Sequence, residues 1–149
     1  MKKLNFAIEI NAGRETVWSA LWEDANYREW TSNFQEGSYA ISEWKEGSKV
    51  QFLSPEGDGM YSVIDRLIPN EYMSFRHLGD IKAGIEQPQS EETKMWMGAT
   101  ENYTLEDVNG KTLLKVDMDI TESHEHVFNK IFPRALEAVK QIAEASANK

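Results

Sequence analysis

The sequence specifies an α+β protein in which one curved antiparallel sheet grips a long C-terminal helix. Three patterns carry that reading. Apolar residues alternate with period two through most of residues 36–121, a helical stripe fills the C-terminal segment, and two short helical runs separate the first strand from the rest. The gaps between strands are too short for crossover helices, so neighbours pair antiparallel. The long helix then lays its apolar stripe on the dry face of the sheet.

Leu4, Phe6, Ile8 and Ile10 alternate with Asn5, Ala7 and Glu9, which makes a half-buried first strand. Asn11 to Arg14 breaks it. Val17, Trp18, Ala20 and Leu21 follow at helical spacing, with Glu15 placed to suit the helix dipole. Asp24 caps a second short helix carrying Tyr27 and Trp30, which ends around Thr31–Asn33. Tyr39 and Ile41, then Val50 and Phe52, mark two strands joined by the turn Glu46–Ser48. Tyr61, Val63, Asp65 and Leu67 are read as one face of the next strand, up to the Pro69-Asn70 turn. Met73, Phe75 and His77 share a face of its successor. Residues 79–94 form the longest polar interruption, a wet loop or a gate with Gly79 and Gly84 as flexible points.

A strand from Met95 to Leu105 carries Met97, Ala99, Glu101 and Tyr103 on one side and leads to the Asn109-Gly110 hairpin turn. Leu114, Val116, Met118 and Ile120 then alternate with Lys115, Asp117 and Asp119. Ser123 caps a final helix striped by Phe128, Ile131, Ala135, Val139 and Ile142. Pro133 is expected to kink or split that helix, and Glu144 to Lys149 to fray.

Composition narrows the function. The length suits one domain over residues 1–149. Sixteen Lys and Arg against 25 Asp and Glu leave a net charge of −9, which argues against nucleic acid and anionic membrane as partners. The absence of Cys removes disulfides, thiolate metal sites and a Cys nucleophile together. No run approaches the roughly 20 apolar residues of a membrane span, and no secretory signal opens the chain, so a cytoplasmic protein is expected, as a monomer or weak dimer. Gly57-Asp-Gly59 has no Lys and no following helix, and His124 and His126 face different ways on a helix. No cofactor and no metal are expected.

Five Trp, five Tyr, six Phe and six Met supply large, adaptable side chains that either line a cavity or fill a core. The candidate lining is Trp30, Phe34, Tyr39, Phe52, Tyr61, Phe75, Trp96, Tyr103, Phe128 and Phe132, of which parity or helical spacing turns Phe52, Tyr61, Phe75, Tyr103 and Phe128 toward the grip. Three polar side chains, Asp65, His77 and Glu101, share those faces. On a buried face each must find a partner or stay wet. They therefore either orient a ligand or satisfy one another as structural hydrogen-bond pairs. A His beside carboxylates is also the minimum for acid–base chemistry, but no nucleophile motif accompanies it.

Several stretches, in this order, carry a resemblance: Ile8 to Leu21, Trp30, Gly59 to Asp65, Pro69 to His77, and Trp96 to Leu105 followed by Asn109 to Val116. Together they resemble the START-like (SRPBCC, birch-pollen-allergen-like) superfamily, in the branch of the activators of the heat shock protein 90 ATPase. The Gly-Trp pair that many relatives carry at the start of the last helix is replaced here by Thr121 to Phe128. The resemblance implies a helix-grip fold with space between sheet and C-terminal helix. A small apolar or aromatic molecule bound there is the first expectation. The branch also implies an alternative, a protein-interaction module directed at a chaperone or other protein. A cyclase, aromatase or hydrolase working in the same cavity is a second.

Overall fold

Alternation builds β1 (Lys2–Ile10), and the helical runs that follow become α1 (Arg14–Trp22) and α2 (Asp24–Thr31). Next come β2 (Tyr39–Ser42), β3 (Lys49–Leu53), β4 (Gly59–Ile68), β5 (Tyr72–Lys82), the two-residue β6 (Ile85–Glu86) and the short α3 (Glu91–Lys94). β7 (Thr100–Val108), β8 (Lys111–Ile120) and α4 (Glu122–Ala147) complete a computed structural model that describes residues 1–148. The strands form one antiparallel sheet in the order β1-β8-β7-β5-β4-β3-β2, with β6 added at the C-terminal end of β5. All three longer helices pack on its apolar face. Ile10, Val17, Leu21, Leu114, Val116, Leu136 and Val139 form the dense part of that core.

β4 reverses part of the expected parity. Ile64 pairs with Phe75 and Arg66 with Ser74, so Asp65 is an extra residue in a bulge, and a second irregularity follows Tyr61. A bulge breaks strict period two. Leu67 does reach the core, but Tyr61 and Asp65 do not, and Ser62 and Ile64 are buried in their place.

β7 begins at Thr100 rather than Met95. A capping box precedes it: the Ser90 side chain accepts from the Thr93 backbone N–H at 3.1 Å, and Thr93 Oγ1 accepts from the Ser90 N–H at 2.7 Å. That local pairing nucleates the helical turn of α3, and Gly98 at φ +84° ends the segment. The polar interruption is also shorter at its start, because residues 79–82 belong to β5. Gly79 is no flexible point: a Cβ there would lie 2.8 Å from the Tyr61 ring, which covers it.

α4 is one helix through Pro133, not two. Pro133 and Asn129, whose carbonyl loses its helical donor, are both exposed, so water can satisfy that carbonyl. The helix starts one residue before the expected cap, with Thr121 at the N-cap position. Of the segment expected to fray, residues 144–147 are helical, and Lys149 lies outside the described residues.

Candidate functional site

Between the sheet, α2 and the N-terminal part of α4 lies a cavity of about 580 Å³. That volume falls within the roughly 300–1,000 Å³ of small-molecule sites. Its inner wall is aromatic. Trp22 stands 4.9 Å from Tyr103 at 81° and 5.5 Å from Phe75 at 70°, and Phe52 meets Phe75 at 5.3 Å and 82°. Rigid rings that meet edge to face do not interdigitate as aliphatic chains do, and here they surround space rather than fill it. The cavity reaches solvent past exposed Gln35, His124 and Val127, beside half-buried Met60 and Trp96.

Its polar centre comes from neighbouring strands. Glu101 on β7 pairs across the sheet with Phe75 on β5 and Met118 on β8, which aims its carboxylate inward. The hydroxyl of Tyr103, two residues along the same face, donates to Glu101 Oε2 at 2.5 Å. Burial pushes the Tyr103 phenol well above its ordinary ionisation range, and the charge of Glu101 and this hydrogen bond add to the effect. Burial raises Tyr27 on α2 likewise, again with the negative charge of Glu101 contributing.

His77 is buried opposite, its Nε2 3.5 Å from Glu101 Oε1 and its Nδ1 2.6 Å from Ser62 Oγ. Ser62 is fully buried, and its hydroxyl has no other acceptor among the described residues. A hydroxyl that donates to Nδ1 puts the ring proton on Nε2, facing the carboxylate. Glu101 Oε1 receives no hydrogen bond of ordinary length among the described residues. One buried donor is also unmatched: the indole N–H of Trp22, a lining residue, has no partner among the described residues.

The structure brings Trp30, Phe52, Phe75, His77, Glu101, Tyr103, Phe128 and Phe132 together around this space. It leaves out Tyr61 and Asp65. Asp65 lies on the outer face, where it accepts from Arg76 Nε at 3.1 Å, and the Tyr61 ring lies under Lys49 at 5.5 Å. The bulge at Asp65 is the physical reason. Sequence reasoning missed Trp22, Tyr27, Ser62 and His124. The spacing of Trp18 and Trp22 along α1 was the available signal for the first, whereas nothing marks Ser62 until its strand partner is known. His124, read as a solvated helix start, is indeed exposed, with Nδ1 2.7 Å from Thr121 Oγ1, but it also borders the opening.

A family model described as Activator of Hsp90 ATPase homolog 1-like protein matches residues 11–144. The chain belongs to this family. The match begins just after β1 and runs into the C-terminal part of α4, so it includes every element that lines the cavity. The Aha1 dimer from Colwellia psychrerythraea has 22% identity to this family member and a TM-score of 0.69, with 96% of this chain and 97% of that one covered. Protein NE0264 from Nitrosomonas europaea has 11% identity and a TM-score of 0.72, with 99% and 97% covered. DynU16, from the dynemicin biosynthetic locus, has 13% identity and a TM-score of 0.71. Its match covers 99% of this chain, which spans about half (49%) of the DynU16 chain. At these identities the likeness is one of fold. No curated protein sequence matches the chain. No helix among the described residues is long and apolar enough to cross a membrane.

Proposed function

We propose that this family member binds a small apolar or aromatic molecule in the cavity between sheet and α4, in the cytoplasm. The observation that carries the reading is the cavity itself: about 580 Å³, walled by aromatic rings, yet holding the Glu101 carboxylate and a buried indole N–H, that of Trp22, with no partner among the described residues. Buried polar groups are normally satisfied internally. Here a guest would satisfy them. Its buried apolar surface would supply affinity at roughly 25 cal/mol per Å², less the cost of association. Glu101, His77 and the Trp22 N–H would fix its orientation.

A neutral reporter tests this directly. N-phenyl-1-naphthylamine is expected to bind saturably at a single site with enhanced fluorescence. Ala99→Trp, which places an indole where the lining has only a methyl, is expected to abolish that binding while the protein still unfolds cooperatively on heating. Equal binding by wild type and the folded Ala99→Trp variant would refute the proposal.

A further inference from the structure

We propose that the cavity selects aromatic ligands carrying a positively charged nitrogen, an arylalkyl ammonium group, with the Glu101 carboxylate as its counter-charge. This inference rests on the binding function proposed above and names the class of ligand.

Charge around the space is one-sided. The charged or titratable groups lining it are Glu101, Asp58 and Asp119, with His77 and His124 and the phenols of Tyr27, Tyr39 and Tyr103. No Lys or Arg is among them in the described residues. The two outer carboxylates are already engaged: Asp58 accepts from the Ala83 backbone N–H at 2.9 Å, and Asp119 from the Thr100 N–H at 3.0 Å. Glu101 is different. It faces the cavity, its Oε2 taken by Tyr103 and its Oε1 3.5 Å from His77 Nε2, a separation long enough for a closer donor to compete.

Among the described residues that line the cavity, no Lys or Arg faces Glu101. From β7 comes the neutral hydroxyl of Tyr103, from β8 Met118, and from α2 the neutral phenol of Tyr27. From β5 comes His77, its Nδ1 2.6 Å from Ser62 Oγ and its Nε2 3.5 Å from Glu101 Oε1. A largely buried carboxylate attracts a cation placed beside it, and the apolar walls strengthen that attraction over its value in water.

The walls favour the same ligand. A cation is attracted to the faces of Trp, Tyr and Phe, and recognition of ammonium groups by aromatic enclosures is the established use of that attraction. Trp22, Tyr27, Phe52, Phe75 and Tyr103 form such an enclosure next to Glu101. An anionic ligand would meet the Glu101 carboxylate and no Lys or Arg among the described lining residues, the nearby Lys3 being paired with Asp119 at 3.3 Å. The acidic chain, with net charge −9, repels it further on approach.

Three probes with one aromatic body separate the possibilities: 1-naphthylmethylamine, 1-naphthylmethanol and 1-naphthoic acid, each titrated calorimetrically into the intact protein at neutral pH. The ammonium probe is expected to bind about tenfold or more tightly than the alcohol, with no measurable binding of the acid. Glu101→Gln keeps an oxygen for the Tyr103 hydroxyl and is expected to bring amine and alcohol within about twofold of each other, whereas Glu101→Asp retains the preference. Should Glu101→Gln fail to fold, the wild-type ranking decides alone. Alcohol binding as tightly as amine overturns cation selection and leaves the binding function standing. A preference that survives Glu101→Gln overturns the role of Glu101. Failure of all three probes to bind overturns both proposals.

Discussion

From Phe132 onward, α4 buries Ala135, Leu136, Val139 and Ala143 completely, whereas between Glu122 and Ile131 no side chain is fully buried. Both stretches belong to one helix with one apolar stripe. The C-terminal stretch presents small residues, Ala135, Ala138 and Ala143, that let it close on α1 and β1. The N-terminal stretch is held off by rings. Phe132 stacks on Phe6 at 5.0 Å and 13°, and Phe34 lies 5.1 Å from Phe132 and 5.9 Å from Phe128. The contrast teaches that amphipathic spacing places a helix on a sheet, but side-chain size decides whether the space beneath is closed.

Truncations should separate the two stretches. Leu136→Ala is expected to cost about 3 kcal/mol in chemical denaturation, since a buried side chain leaves a void that rigid neighbours cannot close. Phe128→Ala, although it removes a larger side chain, should cost only about 1 kcal/mol, because that ring already borders open space. Equal losses at both positions would erase the distinction.

The enclosed phenols give the next effect. Tyr27 and Tyr103 have raised folded-state pKa values, so they favour the fold fully below the ordinary phenol range, near pH 10. Above it the unfolded chain releases protons that the folded protein keeps. Stability should then fall by about 1.4 kcal/mol per phenol for each pH unit. Ultraviolet absorbance should show both phenols ionising only as the protein unfolds. Reversible ionisation of Tyr103 in the folded state would contradict its enclosure. The smallest effect belongs to the outer face: Asp65→Ala breaks an exposed pair with Arg76 and should cost less than about 0.5 kcal/mol. It should leave binding of N-phenyl-1-naphthylamine unchanged.

How far the sequence was legible follows from the same physics. Period two and period 3.6 suffice for the order of elements, because each buried face must repeat with the geometry of its backbone. The same parity places Phe75, His77, Glu101 and Tyr103 correctly, since β5 and the inward face of β7 keep strict alternation through those residues. It fails at Tyr61 and Asp65, where one inserted residue leaves Leu67 inward while turning the earlier positions out. It fails also between Met95 and Ala99, where the helical turn begun by a Ser–Thr capping box replaces the expected start of a strand. Ser62 and the unmatched N–H of Trp22 were beyond reach for a different reason. Their importance lies in which partner they have or lack, and partners are set by tertiary contact rather than by spacing.

The open space under the first turns of α4 is best tested by methyl NMR during titration with neutral 1-naphthylmethanol. Met118, Val127 and Ile131, which line the cavity, should shift progressively to saturation, while Leu136 and Val139 stay in place. Shifts spread equally over both groups, or confined to Leu136 and Val139, would contradict a guest site between the sheet and the N-terminal stretch of the helix.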